Sequence, residues 1–166
     1  MIFLDNGKTM VVTISNYEYV LFFNQMSDGS KDYVYDTKLS VSYTNPHGLR
    51  YVNDKYFYVT SLTTNRIYTY YRMPNSTSWT EELFLDANSI VSSSSGNHLI
   101  IDECDRYWFS LGSNGIRLFD NQGSLLSNIT SIVLSSFDIL ITDNYVVYLS
   151  DDQSNQIVRI DLNIQC

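Results

Sequence analysis

The sequence predicts an all-β fold, a β-propeller of about four four-stranded antiparallel blades, closed as a ring or left as an open arc. Three observations predict it. Residues that favour helix are nearly absent, with one alanine (Ala87), four Glu and four Lys, while Tyr, Ile, Val, Thr and Phe abound. One pattern recurs four times at spacings of about 47, 49 and 41 residues, the period of propeller blades. Each copy also holds a strand that is apolar at consecutive positions, so both of its faces must be buried.

The copies follow one another without a linker, as one domain over 1–166 with repeats at about 2–45, 46–95, 96–135 and 136–166. In the first, Ile2, Asn6, Val11-Val12 and Val20 match Leu49, Asn53, Tyr58-Val59 and Ile67 of the second. Residues 49–70 and 139–160 align without a gap. The third copy, 99–119, has lost one residue from its second turn. Inner strands are expected at 49–52 and 139–141, second strands at 57–59 and 146–149, third strands at 67–70 and 157–160. The second strands read Met10-Val11-Val12, Phe57-Tyr58-Val59, Tyr107-Trp108-Phe109 and Val147-Tyr148-Leu149, large side chains that fill the wedge between blades. Fourth strands are expected within Lys31–Tyr43, which has an alternating stretch at Leu39 to Tyr43, at Ser124-Leu125-Leu126, and as a short edge at Leu162-Asn163-Ile164. Residues 75–78 and 92–95 read as polar loops.

Composition narrows the function. A net charge of −8 with scattered Lys and Arg argues against a nucleic-acid partner. No apolar run is long enough for a membrane-spanning helix, and the start of the chain lacks the basic region of a secretory signal. Two cysteines, Cys104 and Cys166, make no disulfide framework, although geometry allows a bond between them. The sequons at Asn75 and Asn128 match chance in a chain so rich in Asn, Ser and Thr.

The repeats resemble the NHL family of β-propellers. Pro46-His47-Gly48-Leu49 matches the start of an NHL unit, Tyr58-Val59 its strand, Asn65-Arg66-Ile67 its turn, and Phe119-Asp120-Asn121-Gln122-Gly123 its exit. The third copy lacks the leading proline, and the fourth begins Ser136-Phe137-Asp138-Ile139. The resemblance implies a propeller whose rim binds protein or peptide. NHL-like lyases and lactonases keep a metal at the channel, which is the alternative.

His47, His98 and Asp138 stand just before the inner strands of consecutive copies and should face one rim. Two imidazoles and a carboxylate are a donor set for zinc, but no base or open coordination position is nominated beside them. The plainer reading, which is preferred, is that the entry loops are polar and happen to carry two histidines. The acids of the first turns (Asp5, Asp54, Asp102 and Glu103, Asp143) suggest a calcium ring, or simply tight turns. No Gly-x-Ser-x-Gly elbow and no phosphate loop are present. The expectation is a non-catalytic binding or scaffold module with no cofactor and a protein or peptide partner. The apolar faces of the end blades (Val11, Val12, Val20 and Phe22; Val147, Leu149, Ile157 and Ile160) should meet water in an open arc. A chain of that kind would be marginally stable alone and would self-associate.

Overall fold

The computed structural model describes residues 1–28, 30–91, 96–130, 135–142 and 145–161. The first sheet joins β1 (Ile2–Leu4), β2 (Thr9–Ile14), β3 (Tyr19–Gln25) and β4 (Tyr33–Ser40). The second joins β5 (Pro46–Asn53), β6 (Tyr56–Ser61), β7 (Arg66–Tyr71) and β8 (Thr80–Asp86). The third joins β9 (Leu99–Ile101), β10 (Tyr107–Ser110), β11 (Ile116–Phe119) and β12 (Leu125–Ile129). The fourth holds β13 (Ser136–Ile141), β14 (Val146–Asp151) and β15 (Gln156–Asp161). The edge strand expected at 162–164 lies outside the described residues, as do 92–95. Every pairing is antiparallel between chain neighbours, so each sheet is a meander and forms one blade.

Turn chemistry fixes the repeat. The hairpin between second and third strands needs a residue of left-handed backbone, and each copy supplies one that tolerates it: Asn16, Asn65, Gly115 and Asn155 all have positive φ. In the second and fourth copies this residue is the Asn of Asn65-Arg66-Ile67 and of Asn155-Gln156-Ile157.

Three apolar clusters cement the blades. Val11, Val20 and Phe22 of the first sheet pack on Phe57, Val59 and Tyr70 of the second. Tyr58 and Ile67 on the opposite face of the second sheet pack on Tyr107 and Phe109 of the third. Trp108, Ile116 and Leu118 then meet Ile139, Val147 and Leu149 of the fourth. Consecutive residues of each second strand thus serve opposite seams, which is why these strands do not alternate apolar with polar.

Two expectations are corrected. The fourth strand of the first blade is Tyr33–Ser40, inside the expected segment but ahead of most of its alternating stretch. Val41 and Tyr43 beyond it are drawn into the first seam, with the Tyr43 ring stacked on Tyr68 at 3.8 Å between centroids. In addition, Val11, Val20, Phe22, Val147 and Leu149 are buried against the second and third blades rather than facing water. Among the described residues no apolar cluster joins the fourth sheet to the first.

Candidate functional site at the leading ends of the inner strands

Blade backbones approach closely where β5 and β9 begin. Gly48 N donates to Thr60 Oγ1 at 2.8 Å, and Thr60 Oγ1 donates to the Asn97 carbonyl. A Cβ at Gly48 would run into that carbonyl and Thr60, so only glycine lets the second and third blades meet here. The same region is tied to the fourth blade by Asn97 Nδ2, which donates to Ser136 O at 3.0 Å, and by Ser110 Oγ, which donates to the same carbonyl at 2.8 Å.

This scaffold brings His47, His98 and Asp138 together. The two imidazoles lie edge to face with centroids 5.6 Å apart, and His98 Nδ1 is 3.1 Å from Asp138 Oδ1 across the seam between blades three and four. Phe137 packs against both rings, 5.4 Å from His47 and 6.0 Å from His98. Burial pushes His98 below its ordinary pKa, against the pull of the Asp138 charge and with help from His47. Burial also lowers His47, opposed by the hydrogen bond its ring donates to the Asn97 backbone carbonyl and by Asp138. Both rings are thus neutral at pH 7, which suits a base or a hydrogen-bond acceptor.

Two residues missed by the sequence reading complete the site, Asn97 and Phe137. The strand register makes them the counterparts of His47 in the third and fourth blades, since Leu49, Leu99 and Ile139 pair with Val59, Phe109 and Leu149. That shared position was the signal that could have found them. Asn97 is buried, and its Oδ1, like His47 Nδ1, has no hydrogen-bond partner among the described residues. Asn97 and Phe137 also line a hollow of about 520 Å³, together with Ser113 and Asp152. That size suits a small organic ligand.

The resemblance places a metal at the channel. The three candidates do converge, yet the one donor-to-donor approach among them is His98 to Asp138. Among the described residues no group of three or more His, Cys, Asp or Glu is placed to hold an ion. The described side chains do not fit a three-donor centre. The acids of the first turns have structural work instead. Asp54 Oδ1 accepts from Asp5 N at 2.7 Å, and Asp102 accepts from Trp108, Arg106 and the Cys104 amide. Asp143 lies outside the described residues. Cys104 is disulfide-bonded and so is no nucleophile.

Four meander sheets, packed face to face in chain order with their first strands innermost, decide the architecture. The chain is a β-propeller. It is similar in structure to a Bacteroides uniformis protein provisionally named a 6-phosphogluconolactonase, at TM-score 0.74 and 16% identity, covering 98% of this chain and 49% of that one. A provisionally named gluconolactonase is similar at TM-score 0.63 and 15% identity, covering 88% of this chain and 47% of that one. The third is a luciferin-regenerating enzyme, at TM-score 0.61 and 14% identity, covering 80% and 44%. This chain spans just under half the length of these propellers. No protein-family model matches it, and no curated protein does so. Among the described residues no helix is long and apolar enough to cross a membrane.

Proposed function

We propose that this chain supplies part of the ring of a lactonase-type propeller hydrolase that opens hydroxylated cyclic esters. The observation that carries the reading is the approach of His98 Nδ1 to Asp138 Oδ1 at 3.1 Å beside the His47 imidazole, whose Nδ1 has no hydrogen-bond partner among the described residues. Similarity in fold to lactonase-like propellers supports it. The NHL character of the repeats rests on their motifs and belongs to the same proposal.

In this reading Asp138 holds the neutral His98 ring with its hydrogen on Nδ1, leaving Nε2 as the base. Nε2 takes a proton from water as the water oxygen attacks the lactone carbonyl carbon. The ring C–O bond then breaks, and the departing alkoxide takes the proton back from Nε2. One water is consumed and an open hydroxy acid is formed. Phe137, packed against both imidazoles, offers an apolar face to the ligand ring.

The test follows proton release from a hydroxylated δ-lactone. His98→Gln should lower the rate by about 10²–10⁴-fold, the usual contribution of a positioned base. Absence of turnover by the parent protein, or a His98→Gln variant that matches it, would sink the proposal.

A further inference from the structure

The repeat gives every blade the same two faces, so each seam can be compared position by position. On the face turned to the following blade, the first residue of the third-strand core is Val20, Ile67, Ile116 and Ile157 in turn. Val20, Ile67 and Ile116 are all at 0% exposure, whereas Ile157 is at 69%. The inner-strand partner tells the same story. Ile2 pairs with Val11, Ile100 with Trp108 and Leu140 with Tyr148. Ile2 is buried in its seam and Leu140 is 58% exposed.

The opposite face shows the complementary deficit. Phe57 and Val59, Tyr107 and Phe109, and Val147 and Leu149 are buried against the preceding blade. Their counterparts in the first blade, Met10 and Val12, are only half-buried, and Phe3 beside them is exposed. Phe23 and Tyr35 extend this apolar face outward, packed edge to face. One face built to receive a next blade and one built to receive a previous blade therefore stand open at the two ends of the arc. Each is the continuation of a seam already present three times in the chain.

We propose that the occupant of each face is a second copy of this chain: the fourth blade of one copy packs on the first blade of the other, and two copies close a single ring. The contact is head to tail, and two equal seams leave no free face. It uses the repeat positions that form the internal seams, so it needs no new kind of packing. Size is compatible, since the chain spans 44–49% of three of the structures to which it is similar. The inference stands apart from the chemistry assigned to His98.

Sedimentation velocity of the full chain at micromolar concentration tests it, with Ile157→Glu and Met10→Lys as variants. Both positions are solvent-accessible in the single chain, and far-UV spectra check that each variant keeps its fold. The parent should run as a dimer. Each variant alone should dissociate, its dimer constant weakened by at least about 100-fold, as expected for burying an unpaired charge in an apolar seam. A mixture of the two should recover the dimer, because one seam then pairs Glu with Lys while the other is unaltered. A monomeric parent would overturn the proposal, as would open-ended polymers. A dimer indifferent to Met10→Lys would overturn the head-to-tail arrangement.

Discussion

The indole nitrogen of Trp108 donates to Asp102 Oδ2 at 2.8 Å. This bond ties the turn before β10 to the strand that forms the seam between the third and fourth blades. Asp102 also accepts from Arg106 Nε at 2.8 Å and from the Cys104 and Arg106 amides. These donors hold its carboxyl below the ordinary aspartate range against the cost of burial, which is the largest single influence on it.

Trp108 is fully buried, so Trp108→Ala should destabilise the protein by about 3–5 kcal/mol. Trp108→Phe keeps most of the apolar contact but takes one donor from Asp102, and should cost about 1–3 kcal/mol. Urea unfolding of both variants measures this. An alanine variant with the parent's midpoint would mean that Trp108 does not wedge the seam.

Gly48→Ala isolates the close approach of blades two and three. The added methyl meets the Asn97 carbonyl and Thr60, and neither is the end of a flexible side chain. Backbone must shift, at about 1–3 kcal/mol, and the shift separates His47 from His98. Thermal melts and the histidine ring signals in NMR should both change. A variant with unperturbed ring signals would show that the glycine has no part in assembling the site.

Acid should weaken the fold through the histidines. His47 and His98 bind a proton less readily in the folded chain than at the ordinary value of 6.5. The unfolded state therefore takes up more protons as pH falls below about 6.5, and stability present above that pH is lost toward the folded values. Replacing both by glutamine should flatten this acid limb between about pH 7 and 5. An unchanged limb would assign it to carboxylates instead.

Asp138→Asn tests the pair directly. The Asp138 charge raises the His98 pKa, so its removal should shift the His98 titration to still lower pH while loosening the ring. Followed by NMR, the His98 midpoint should fall. A midpoint that rises or stays put would mean the 3.1 Å contact in the structure does not persist in solution.

The repeat, the all-β class and the strand positions were legible because they depend on local chemistry. Asn or Gly at a left-handed turn, and consecutive apolar residues in a strand packed on both sides, leave their mark within a few residues. His47, His98 and Asp138 were likewise legible as neighbours, since equivalent repeat positions share one rim. Which side of a strand faces which blade was not. Val11 and Val12 are adjacent and chemically alike, yet one is buried in the first seam and the other is half-open. Their difference depends on the handedness with which sheets follow one another. The partners of His98 and Asn97 were decided at the same level, because they lie on different blades and meet only when glycine lets two backbones touch. Sequence by itself determined the kind of blade and the rim residues; the stacking of blades decided which of those residues touch and which faces are left uncovered.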